Sequence, residues 1–269
     1  MTIYVPGKLT LRQTYIGVDD PDAADYIAAV EAADEIASPG IGGLETATKV
    51  AIHSFVKGCK ADGIWPAIKA SCILAGAKTL AGALVPLAGT APTNYNFVAG
   101  DYNRRTGLKG GSGPKYLRVT GVHAASNPSR HGYIRCTEAT SAGANYSALM
   151  GDDGNGPGEI LRNASSTSFL IRPWGGSSAR SLTNGLGGLG IARATSPEGV
   201  QFTTTTGLNT ISATYVSAGT GMTIFARNSS GAENTDPRIA FFSAGQFLNL
   251  IILDSRVTDL INAFGAAIS

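Results

Sequence analysis

A change of period near residue 79 constrains this chain more than any other feature. Before it, apolar residues recur every three or four positions, the spacing of helices that bury one face. Beyond it, short β-branched or aromatic runs alternate with Gly, Asn, Ser and Pro, the pattern of an all-β sandwich. The chain therefore reads as a small helical module, residues 19–78, leading into a β-sandwich, residues 79–269, that a C-terminal helix closes.

Within the module, Asp19-Asp20-Pro21-Asp22 supplies an acidic cap followed by Pro at the first helical position. Tyr26, Ile27, Val30, Ala33 and Ile36 then keep helical spacing until Ser38-Pro39-Gly40 stops the run. Leu44, Ala47, Val50, Ala51, Phe55 and Val56 form the stripe of a second helix. Ile64 to Ala75, apolar over most of a helical circumference, predicts a third helix buried between the others and the sheet. Residues 1–18 pattern poorly and carry Tyr4, Val5 and Tyr15 without local partners, so they read as an extended arm, either a frayed terminus or a segment that orders only on a neighbouring subunit.

Twelve short strands are expected, at 80–85, 97–98, 116–120, 132–137, 147–150, 159–163, 168–172, 188–194, 199–206, 209–216, 221–227 and 238–243. Gly207, free to take a positive φ, marks a hairpin within Thr203–Thr210. At the C-terminus Asn249 is placed to cap a helix whose apolar residues Leu253, Val257, Leu260 and Phe264 share one face.

Charged residues make up only 15% of the chain and 35 residues are Gly, which suits a sheet protein with many tight turns. The formal charge of +2 is too near neutral to announce nucleic acid or an acidic membrane as partner. Cys59, Cys72 and Cys136 are odd in number and far apart, so they read as reduced thiols. The start lacks the pattern of a signal peptide, and no uncharged apolar run is long enough to span a bilayer; synthesis in a cytoplasm is expected.

No motif announces catalysis. Glycoside hydrolysis needs two acids facing one bond, whereas Glu138, Glu159, Glu198 and Glu233 are isolated and the set Glu31, Asp34, Glu35 reads as a solvated helix face. The loop Gly151–Glu159 offers oxygen ligands but has Pro157 where a calcium ligand would stand, so it reads as a solvated turn. His53, His123 and His131 approach no cysteine at zinc spacing. Gly185-Leu186-Gly187-Gly188-Leu189-Gly190 fits a dinucleotide fingerprint in letters but runs into a strand, so its glycines serve packing or a turn. Neither metal nor cofactor is expected. For glycan or partner contact the candidates are Trp174, placed in a loop, with Tyr133 and Asn163 as neighbours; the competing role for Trp174 is to cap the core.

The phrases GCKADGIW-AIKASCILAGA, LAGALVPL, APTN-NFV-GDY-R-TGL, KYL and PRIAFFSAGQFLNLIILDSRVTDLINAF resemble a family of marine tailed-bacteriophage virion proteins, over roughly residues 20–269. That resemblance implies a concanavalin-like, laminin-G-like jelly-roll sandwich behind a helical lead. It further implies a non-enzymatic subunit of the virion, in contact with other virion proteins and with copies of itself as a homo-oligomer. A second reading makes the sandwich an adhesin that recognises a glycan of the host surface.

Overall fold

The computed structural model describes residues 19–111, 113–124, 126–138, 147–153, 158–162, 168–216, 219–231 and 236–268. The expected arm, residues 1–18, lies outside them. The chain forms α1 (Pro21–Ala37), α2 (Thr46–Ala61), β1 (Ile68–Ile73), a single turn α3 (Leu80–Ala83), β2 (Thr93–Tyr95), β3 (Tyr102–Asn103), β4 (Gly107–Lys109) and β5 (Tyr116–Val119). There follow β6 (Arg130–Glu138), β7 (Ser147–Asp152), β8 (Gly158–Arg162), β9 (Ser168–Pro173), β10 (Ser178–Ser181) and β11 (Gly187–Arg193). The last elements are β12 (Glu198–Thr203), β13 (Gly207–Ser212), β14 (Met222–Ile224), β15 (Arg238–Gly245) and α4 (Leu250–Ala267).

The strands make two antiparallel sheets. The first runs β13-β12-β11-β6-β15-β4-β3, and the second β10-β9-β8-β7-β14-β5-β2. β15 is long enough to serve two neighbours on one side: its start pairs with β4 and its end with β1, in register Ile73 to Phe241. Ile134, Leu189, Ile191 and Phe242 of the first sheet meet Leu117, Ile160, Ile171 and Ile224 of the second in the sandwich interior. The other face of the first sheet carries Tyr133, Phe202 and Phe241, on which Phe55 of α2 and Leu253, Val257, Leu260 and Phe264 of α4 pack. Three layers result, helices on sheet on sheet, and the outer face of the second sheet is not packed by the helical layer.

Local chemistry explains the helix ends. Asp20 accepts from the amides of Asp22 and Ala23, Asn249 accepts from those of Ile251 and Ile252, and the expected hairpin turns at Gly207 with φ +66°. The expected helix over Ile64–Ala75 is instead a 3-10 turn at Trp65–Ala67 and the strand β1. Pro66 denies that segment a helical interior, and β1 is buried on both faces except at Lys69 because it lies between two cores: Ala70 and Cys72 face the sandwich, Ile73 the helices. The strand expected at 80–85 is α3, whose Gly82 amide is capped by Thr79 Oγ1. Phe97–Val98 is not a strand, β2 lying just before it, and β10, too polar to stand out, was not expected.

Nor is the acidic set of α1 a solvated face. Asp34 is 1% exposed and accepts from the Lys78 and Thr79 amides at 2.8 Å and from Thr79 Oγ1 at 2.7 Å, so it ties α1 to α3. Glu31 accepts from the Leu44 amide and pairs with Lys49 at 2.6 Å. All three cysteines are buried and free. No helix among the described residues is long and apolar enough to cross a membrane.

Candidate functional site

Of the three residues expected to form a surface, Tyr133 and Trp174 are buried. Tyr133 is fully buried on the helix-facing side of the first sheet, where its hydroxyl donates to Asp254 Oδ1 at 2.5 Å. The same carboxylate accepts from Thr204 Oγ1 at 3.0 Å and from Arg135 Nη1 at 3.3 Å, so Tyr133 is part of the pin that holds α4 on the sheet. Burial keeps its hydroxyl protonated, pushing its pKa well above the usual value. Gly188 makes room for this pin, since a Cβ there would stand 2.0 Å from Asp254 Oδ1. Asn163 lies outside the described residues.

Trp174 follows β9 with φ +51°, and that left-handed backbone turns its ring inward until none of it is exposed. Its Nε1 donates to Asp152 Oδ2 at 3.3 Å, and its ring packs between His123, 5.5 Å away, and the guanidinium of Arg130, 5.6 Å away. Arg130, itself fully buried, also stacks on Tyr215 and donates to the carbonyls of Ala124, Asn127 and Gly219. Arg193 similarly binds the carbonyls of Pro173 and Ala213. Desolvation holds His123 down to about 3, so it stays neutral beside these cations. The cluster ties the loops at one end of the sandwich together, with Trp174 buried within it and Tyr215 partly exposed at its edge. Trp174 thus caps the core.

The outer face of the second sheet is different. Alternation along β5 sends Leu117 and Val119 inward and turns Tyr116 and Arg118 to the outer face, where Tyr116 is only 6% exposed and donates its hydroxyl to the Ser229 carbonyl. On the neighbouring β2, Tyr95 stands opposite Tyr116, and the two rings stack at 4.2 Å with planes 7° apart. Arg118 Nη2 donates to Asp153 Oδ2 at 3.2 Å, while its Nε has no hydrogen-bond partner among the described residues. Asp153 is itself fixed by the Gly221 amide. Across the same face Glu159 accepts from Arg172 Nη1 at 2.6 Å and Arg227 Nε at 2.8 Å.

A half-buried tyrosine beside a guanidinium and a carboxylate offers an apolar plate with fixed donors and acceptors next to it, and exposed Thr93 and Asn94 extend the polar rim. The acids are engaged singly by basic groups: Glu159 as above, Glu138 by Lys109 and Arg238. Among the described residues no three His, Cys, Asp or Glu side chains stand close enough to hold a metal ion. The pair Tyr95 and Tyr116 escaped the sequence reading because 20 residues separate them and β2 was expected three residues late; the alternation Tyr-Leu-Arg-Val at 116–119 was the available signal.

No protein-family model matches the chain, and no curated protein is significantly similar to it. Solved structures resemble it in fold. The sialidase of Trypanosoma rangeli, in complex with a difluoro-KDN, is 13% identical and superposes with a TM-score of 0.50 over 73% of this chain and 33% of that one. The botulinum neurotoxin serotype D binding domain is 10% identical, with a TM-score of 0.49 over 72% of this chain and 51% of that one. A botulinum neurotoxin type C structure, from work on cell entry through two ganglioside molecules, is 12% identical, with a TM-score of 0.46 over 74% and 51%. The chain thus spans from a third to about half the length of these structures. At such identities the similarity concerns the fold alone, an antiparallel β-sandwich.

Proposed function

We propose that the chain is a non-enzymatic recognition domain whose second sheet binds a glycan on its outer face. The observation that carries this reading is the stacked pair Tyr95 and Tyr116 beside the Arg118–Asp153 ion pair. A sugar ring has apolar C–H faces and an equatorial belt of hydroxyls. The partly exposed ring of Tyr95 matches the first, and the Arg118–Asp153 pair supplies a fixed donor and acceptor for the second. One shallow site of this kind gives weak binding, so several copies in an oligomer would supply the avidity that an adhesin needs. Binding to an array of surface polysaccharides tests the proposal, with Tyr95→Ala and Arg118→Gln as the variants. Retention of at least one glycan, weakened tenfold or more by either variant in a folded protein, is expected. Failure to retain any glycan, or retention indifferent to both changes, would overturn it.

We further propose that this domain is displayed on a tailed-phage particle, as a tail-tip, fibre-associated or head-decoration subunit in contact with other virion proteins. The sequence resemblance over roughly residues 20–269 supports that location. Mass spectrometry of purified particles should find the chain in stoichiometric amount, and its absence from intact particles would refute the assignment.

A further inference from the structure

We infer that a groove between α2 and α4 seats the chain's own N-terminal segment, with Tyr15 and Ile16 as its anchors. The groove is a cavity of about 710 Å³ on the solvent side of the helical layer. Its walls are small and largely apolar, Ala47 and Ser54 from α2 and Ala263 and Ala266 from α4, and Val50 at its side is 37% exposed. Small residues on both walls leave room for large side chains from elsewhere, the complementarity by which packed layers interlock.

The described chain begins beside this groove. Asp19 is held on α2 by His53 Nε2 at 2.6 Å and Lys57 Nζ at 3.0 Å, and Lys57 is one turn beyond Ser54. Eighteen residues precede Asp19. The α2 wall from Thr46 to Phe55 is roughly 14 Å long at about 1.5 Å per residue. An extended chain at about 3.3 Å per residue covers it with four or five residues. The first residues to arrive are Val18, Gly17, Ile16 and Tyr15, the last two bulky and apolar. Charge does not oppose this placement. Residues 1–18 contain Lys8 and Arg12 and no acid, whereas Asp259 stands exposed on the α4 wall and Arg256 is already paired with Asp62 at 2.7 Å.

Maleimide labelling of a Val50→Cys variant reads the groove directly, because the three natural cysteines are buried. In the full chain labelling should be about tenfold slower than in a chain lacking residues 1–17, which corresponds to docking by roughly 1.4 kcal/mol. Tyr15→Ser with Ile16→Ser in the full chain should restore the fast rate, so the result does not depend on the truncated form folding well. Protection should be the same at nanomolar and at high micromolar protein, as an intramolecular contact requires. Equal labelling rates in all forms would overturn the proposal. Protection that grows with protein concentration would overturn it too, by assigning the groove to the segment of a second copy. None of these outcomes depends on glycan binding at the opposite face.

Discussion

Replacing Asp254 tests whether one buried carboxylate holds the helical layer on the sandwich. Its side chain, in a residue 8% exposed, accepts from Tyr133, Thr204 and Arg135. Asp254→Ala strands the Tyr133 hydroxyl, which is fully buried, at a cost of about 1–3 kcal/mol. It also leaves Arg135 without its carboxylate, and loss of one partner from a largely buried pair costs about 3–5 kcal/mol when no water can replace it. Arg135 keeps Thr258 and is 16% exposed, so the low end applies. Against this, alanine favours α4 by a few tenths of a kcal/mol, about 0.5. The net expectation is about 4–5 kcal/mol. Tyr133→Phe alone removes one charge-assisted bond while Thr204 and Arg135 still satisfy the carboxylate, so about 1.5–2 kcal/mol is expected. The double variant removes both ends of the bond and should cost about 1–2 kcal/mol less than the sum. Urea unfolding at pH 7, with m unchanged, measures all three. Additivity within about 0.5 kcal/mol, or a loss below about 1 kcal/mol for Asp254→Ala, would refute the pin.

Three further outcomes follow from the same structure. Leu260→Asp puts a charge at a 2% exposed site between α4 and its neighbours and should cost several kcal/mol, about 4 or more, leaving little soluble protein, whereas exposed Asp259→Asn should be nearly silent; similar melting of both would remove α4 from the core. Burial holds His123 near about 3 and His131 near about 4, both below the ordinary 6.5, so the unfolded chain takes up more protons and stability must fall as pH drops from 6.5 toward those values. The slope should approach about 2.7 kcal/mol per pH unit for two protons, and equal unfolding free energies at pH 7 and 5 would contradict it. Desolvation lifts the thiols of Cys59 and Cys136 to about 12 and raises Cys72 too, so a thiol reagent at pH 8 should label none of them natively and all three in urea; native labelling would show that these sites open.

The sequence reading located most of the sandwich because strand alternation is a local property: β5, β6, β9, β12 and β15 each lie within two or three residues of their expected places. It misassigned β1 because burial on two faces erases the alternation. Ile68-Lys69-Ala70-Ser71-Cys72-Ile73 shows its strand character only once β15 is known to lie beside it. The same loss of information misplaced the candidate surface residues. An indole in Arg-Pro-Trp-Gly-Gly reads as a loop residue, and it is one, but whether such a ring turns inward depends on Asp152, 22 residues earlier in another strand. Tyr133 looked like a surface residue for the corresponding reason: its partner Asp254 is 121 residues away. Buried carboxylates at Asp34, Asp152 and Asp254 each satisfy donors from distant elements, and their roles are set by tertiary contacts that composition and period do not encode. The outer sheet face escapes this difficulty. Its side chains meet across adjacent strands, so Tyr116 and Arg118 at alternate positions of β5 already mark it, and pairing with β2 adds Tyr95 to the same patch. A site built by strand neighbours should therefore survive change in the helical layer, and the Asp254→Ala protein, where it folds, should retain whatever glycan the native chain binds.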